Sequence, residues 1–224
     1  MRLCILAICL YTFLGCRFKD TNTQTSITDT SKFVLFLNNF DTLHLPLSIM
    51  KLDDFGKYSD TIWQVINGST QLVSNPVCKV IEKSNYDFIK EKYPTDKSYQ
   101  YVGLYKTKVN DYFLLIMKQS NYLINEYWLK LSLYSKSGNL QDTLTIAGQK
   151  VNDYDRYCEI DTNFTINVRV FKELTSEEND NGILPAIETK EKYVITKDGH
   201  LKCLSHSKER GYFKIENNEI LRVK

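Results

Sequence analysis

The chain has 224 residues, with 29 Lys and Arg against 27 Asp and Glu and a formal net charge of +2. A balance so near neutral leaves no basic footprint, so no nucleic-acid partner is expected. Tyr 15 and Phe 11 against Gly 9 and Pro 4 is rich in strand-favouring aromatics and poor in breakers, which excludes a disordered stalk; the length suffices for one large domain with its own core.

The N-terminus begins with Arg2, an apolar run from Leu3 to Leu14, then Gly15 and Cys16. Such a run is too short for a permanent span, which needs about 20 apolar residues, and has the form of an export signal. Its TFLGC ending resembles the lipobox of bacterial lipoproteins, although Phe13 stands where that family usually has Leu. The resemblance implies that a diacylglycerol is attached to the Cys16 thiol and that cleavage leaves Cys16 first. It also implies a membrane partner through the lipid and an outer-membrane location, because Arg17 is not the aspartate of an inner-membrane retention signal. The periplasmic and surface faces both stay open.

Residues 1–15 are therefore expected to leave as the signal, and the polar, Thr-rich residues 16–31 to form a flexible tether. Residues 32–224 are expected to make one all-β domain. FVLFL at Phe33 opens it, and Leu43, Leu45 and Leu47 then alternate with His44 and Pro46, an extended segment with Pro46 at an edge. Ile62 to Ile66 and Val77 to Ile81 read as strands, and Ser84 to Tyr93, with Ser84 as N-cap, as the one helix. Longer strands follow at Tyr99 to Lys106, Tyr112 to Lys118, Tyr127 to Tyr134 and Leu140 to Ile146, the last two with apolar residues on one face.

Phe164, Ile166, Val168 and Val170 repeat that alternation, Tyr193 to Thr196 turns through Lys197-Asp198-Gly199 into Leu201 to Leu204, and a hairpin about Asn217-Asn218 closes the chain. An antiparallel meander of about ten strands must curl into a barrel or a two-sheet sandwich to hide its apolar face. A partial propeller-like arrangement is the alternative. Of the six cysteines, Cys78, Cys158 and Cys203 remain in the domain; three cannot all pair, and they are read as mostly buried, apolar-behaving thiols.

The order LNNFDTLHLPLSI, YQYVGLYK, DYFLLIMK, EIDTNFTINVRVF and YVITKDGHL resembles a group of Bacteroidetes envelope lipoproteins. That likeness implies an all-β domain with no assigned reaction.

Common hydrolase, metalloprotease and nucleotide motifs are absent from the sequence. The S-x-x-K matches Ser48/Lys51 and Ser205/Lys208 fall where no helix is expected, so neither lysine is placed to activate its serine. In HLKCLSH a strand would put His200 and His206 on one face and Cys203 on the other, so no metal is expected, nor any cofactor. Asp153, Asp155 and Glu159 in VNDYDRYCEID are the densest acids beside aromatics, read as a solvated loop face before a strand; glycosidase carboxylates or a calcium site are the functional alternatives. EENDNG reads as a solvated hairpin tip.

Trp63 and Trp128 could stack on sugar rings if they line one face. Asp41-Thr42-Leu43, Asp60-Thr61-Ile62 and Asp142-Thr143-Leu144 are similar to the short acceptor pattern of Bacteroidetes protein O-glycosylation. Two readings compete. The preferred one is a lipid-anchored module that binds a glycan or envelope protein and is not an enzyme; the alternative is a glycan-acting hydrolase using acids of the second half. An exposed edge strand would favour binding and a deep pocket with convergent carboxylates would favour the enzyme.

Overall fold

Apolar residues at every second position, in runs joined by short turns, make strands with one buried face. The computed structural model of the chain is built from them. It describes residues 30–49, 61–66, 68–74, 78–89, 99–121, 126–150, 154–174, 183–216 and 219–223. A helix, α1 (Thr30–Leu37), comes first, followed by β1 (Asp41–Thr42), β2 (Leu47–Ile49), β3 (Thr61–Ile66), β4 (Ser69–Ser74), β5 (Lys79–Val80) and a 3-10 helix at Lys83–Phe88. The long strands are β6 (Tyr99–Val109), β7 (Tyr112–Asn121), β8 (Glu126–Ser135), β9 (Leu140–Lys150), β10 (Tyr154–Ile160), β11 (Ile166–Glu173), β12 (Ile183–Ile195) and β13 (Leu201–Glu216), with β14 (Glu219–Arg222) last. The fold is all-β, as expected.

One 12-stranded sheet runs β1-β6-β7-β8-β9-β10-β11-β12-β13-β14, with β5 also on β6 and β2 on β10, while β3 and β4 pair with each other. The β1–β6 pairing is parallel and the rest are antiparallel. The sheet curls, because the β12–β13 turn reaches back across it: the Leu201 amide donates to Asp142 Oδ2 of β9 at 2.9 Å, and Gly199 lies against the Tyr112 ring of β7. Gly199 has φ +78, and a Cβ there would meet that ring at 2.4 Å, so both backbone and space call for glycine. Among the described residues β1 and β14 do not pair, so of the expected shapes a closed barrel is not formed.

The main core carries Leu114, Ile116, Leu129, Leu131 and Leu133 together with Cys158, Ile160, Ile166 and Val168. Residues 41–49 form a strap over it. β1 lies beside β6, β2 lies opposite Leu47↔Ile160 and Ile49↔Cys158 of β10, and Leu43 and Ile49 are buried in the core between them. β9 pairs with β10 only over Tyr154 to Arg156, so β2 takes up the edge that β9 leaves.

A second core adds a helix at Thr30–Leu37 to the Ser84 to Tyr93 stretch expected to be the one helix. Phe33, Phe36, Leu37 and Phe40 recur at i, i+3, i+4 and i+7, the stripe of an amphipathic helix, and α1 lays them with Phe88 and Ile89 over Tyr101, Leu115, Met117 and Tyr134. The helix starts at Thr30, two residues inside the expected tether. Phe36 stacks on Phe88 at 5.0 Å, and the Tyr134 hydroxyl donates to the Phe88 carbonyl at 2.7 Å. Of the expected helix Ser84 to Tyr93, the described part forms the 3-10 helix Lys83–Phe88, with Glu82 rather than Ser84 at its N-cap and no side-chain cap bond, while residues 90–93 lie outside the described residues.

Two further corrections concern strands. The stretch read as a loop, Tyr154–Ile160, is β10 in the middle of the sheet. The two short strands expected around Leu201 and Tyr212 are one 16-residue strand, because the intervening SHSKERG keeps its ladder with β12 without any apolar alternation to announce it.

Candidate functional site

Neighbours on both sides bury a central strand, whereas a strand with one neighbour presents its other edge to solvent. β13 is such a strand over most of its length. β12 pairs with it from Leu201 to Lys214, whereas β14 pairs only with Phe213 to Glu216. Val223 donates to the Tyr212 carbonyl, and Arg222 reaches Glu209 and the Arg210 carbonyl. Among the described residues, no strand pairs with the second edge of Lys202 to Lys208. Every residue from Lys202 to Arg210 is exposed. Leu204 and Tyr212, large hydrophobics, are 52% and 51% exposed.

The register sorts these side chains. His206, Lys208, Arg210 and Tyr212 stand opposite Glu191, Thr189, Ile187 and Pro185, alternate residues of β12, and so share one face. The ladder shifts between Lys192 and Tyr193, which leaves Leu204 without an opposite residue and brings Cys203 opposite Tyr193. Cys203 therefore lies on the His206 face, contrary to strict alternation, because the bulge adds a residue. His206 Nδ1 lies 3.6 Å from Glu191, His200 Nδ1 lies 3.8 Å from Asp142, and the Cys203 thiol donates to the Ser205 carbonyl. Each of the three has a different partner. Ser205 and Lys208, three apart on a strand, point to opposite faces.

Behind β13 the sheet carries a polar line. Gln100, Ser120, Tyr127, Gln149, Asp155, Phe171, Glu188 and Glu209 stand successively opposite one another from β6 to β13. Glu188 is only 2% exposed; Arg169 Nε meets it at 2.8 Å and Lys190 Nζ at 3.3 Å. The Arg169 guanidinium lies 4.9 Å from the Phe171 ring centroid. The Tyr157 hydroxyl is 3.5 Å from Asp155 Oδ2. Burial, and then the Asp155 charge, push the Tyr127 phenol up to about 12 and raise Tyr157 further. Gln100 Oε1 and Ser120 Oγ are buried without a hydrogen-bond partner.

Of the residues singled out from sequence, Cys16 and Asp153 lie outside the described residues, as do Asp60, Lys51 and the EENDNG loop. Asp155 belongs to the polar line. Glu159 is exposed opposite Ser48 of β2 and Asn167 of β11. Trp63 sits in β3 opposite Leu72, and Trp128 in β8 opposite Gly148, so the two tryptophans belong to different sheets. Trp128 is partly buried and packs where Gly148 has no Cβ; one there would come within 2.6 Å of its ring.

Asp41 pairs with Lys79 at 2.8 Å. Asp142 takes the Leu201 and Thr143 amides, and the Thr143 hydroxyl donates to the Leu131 carbonyl. Cys158 is buried and its thiol is pushed up by burial, Cys78 is half-buried, and Cys203 is exposed, which corrects the reading of three buried thiols. The charged run of β13 is what the sequence reading missed; its signal was a two-residue spacing of His206, Lys208 and Arg210 that apolar periodicity does not detect. Among the described residues no helix is long and apolar enough to cross a membrane, and no three His, Cys, Asp or Glu side chains are grouped for a metal. No protein-family model matches the chain, and neither a curated protein nor a solved structure does.

Proposed function

We propose that this chain is an exported lipoprotein held in the outer membrane through Cys16, and that its domain is a binding module that takes an extended segment of an envelope partner along the open edge of β13. The observation that carries the reading is that edge. Lys202 to Lys208 offer about 23 Å of strand at roughly 3.3 Å per residue, paired among the described residues on one side only and exposed throughout. Its unpaired amides and carbonyls can take a further strand, with side chains on alternate faces adding selectivity.

Two measurements test the two parts. Cys16→Ala is expected to move the protein out of the membrane fraction without unfolding it; normal membrane fractionation of this variant rejects the anchor. Extended heptapeptides of varied sequence, screened against the purified domain by fluorescence anisotropy, are expected to yield binders that lose affinity when alternate backbone amides are N-methylated. N-methylation in only one of the two alternations removes the donors facing β13. A library without binders, or binders indifferent to both alternations, rejects the edge as the site.

A further inference from the structure

The charges along β13 narrow the partner, on the premise that its edge is the binding site. The chain as a whole is almost neutral, yet Lys202, Lys208 and Arg210 fall within one exposed strand segment, and among the described residues no carboxylate pairs with any of them. The one acid of that segment, Glu209, is already taken by Arg222. Lys208 and Arg210 share a face with His206 and with the exposed Tyr212. Lysine on an edge strand also hinders sheet-to-sheet aggregation, but two features point past mere protection: an edge unpaired among the described residues over this length is a template for another strand, and exposed Leu204 adds apolar area that a guarded edge would lack.

A second copy of the chain is disfavoured as occupant, because antiparallel self-pairing about His206 would set Lys202 opposite Arg210 and bring like charges together. We infer that β13 takes an extended acidic segment along Lys202 to Lys208, with carboxylates two residues apart meeting Lys208 and, diagonally, Arg210. The attraction steers the encounter and sets the register, while the backbone ladder holds the segment.

The test uses two labelled heptapeptides on one Thr/Val scaffold, one with Glu at positions two, four and six and the other with Lys there, titrated into the purified domain. The Glu peptide is expected to bind, to weaken as salt rises because exposed pairs are screened, and to lose affinity when alternate amides are N-methylated. Reversing both cations, Lys208→Glu with Arg210→Glu, is expected to weaken it roughly tenfold and to favour the Lys peptide. Circular dichroism of this surface variant checks that the sheet persists, and Lys208→Gln with Arg210→Gln gives an intermediate loss.

If the Lys or an uncharged peptide binds best, with the same sensitivity to N-methylation, the acidic partner is overturned while the binding edge stands. If no extended peptide binds, the edge itself fails. Glu-peptide binding indifferent to N-methylation means ion pairing without strand addition and overturns the proposal, as does tighter binding to anionic phospholipid vesicles than to the Glu peptide.

Discussion

The strands β6 to β9 and the ribbon β12–β13 are made of the same backbone ladder, yet one is covered on both faces and the other is largely bare. β7 and β8 place Leu114, Ile116, Leu129 and Leu131 in the main core and Leu115, Met117 and Tyr134 under α1, while β13 leaves every side chain from Lys202 to Arg210 exposed. The difference teaches where stability resides and where change is tolerated. Apolar area removed from water contributes about 25 cal/mol per Å², and β13 contributes little of it between its ends.

Phe36→Ala should separate the two regions most sharply. Phe36 is fully buried between Phe33, Phe40, Phe88 and Tyr134, and truncating such a ring costs about 3–5 kcal/mol; urea denaturation should show that loss, and a value under about 1 kcal/mol would mean that α1 is a dispensable cover. Gly199→Ala, at the contact by which the ribbon touches the covered half, should cost about 1–3 kcal/mol from its positive φ and from the Tyr112 ring. The same variant should speed amide exchange at Leu201, whose partner is Asp142; unchanged exchange would mean that the tip is not what holds the curl.

A titration gives a finer cut. Tyr127 is raised above the ordinary phenol value by burial and then by Asp155, so its neutral form contributes stability that is complete below about pH 10 and lost as pH rises through about 12. Phenolate absorbance should lose one late-titrating tyrosine in Tyr127→Phe, and an equal loss from the early phase would place Tyr127 in water. The smallest effect is expected on β13: Leu204→Ser, on a half-exposed side chain outside the register, should change stability by no more than about 0.5 kcal/mol. A larger loss there would erase the contrast between the two regions.

Much of the sheet was legible because the core strands alternate. Leu129, Leu131 and Leu133, or Ile166, Val168 and Val170, declare a buried face by spacing alone. Where apolar residues run together the same rule is ambiguous: FVLFL by itself shows no period, and the helical stripe of Phe33, Phe36 and Leu37 is completed only by Phe40. β10 was hidden by its charges: Asp155 and Glu159 look like loop residues, although Tyr157, Cys158 and Ile160 are buried. The candidate edge was the least legible. An exposed strand has no hydrophobic period, and what identifies it is the absence of a neighbour on one side among the described residues, a property of the pairing order rather than of the residues themselves.

The strap of residues 41–49 carries a consequence for the order of folding. Its β2 pairs Ile49 with Cys158 and Leu47 with Ile160, partners roughly a hundred residues further along, so the loop-closure entropy of that contact is among the largest in the chain. Neighbouring hairpins such as β7–β8 and β8–β9 can form locally beforehand, whereas the strap has nothing to close over until β10 stands in place. Seating it is thus expected to be a late event, and Ile49→Val should speed unfolding while leaving the refolding rate nearly unchanged.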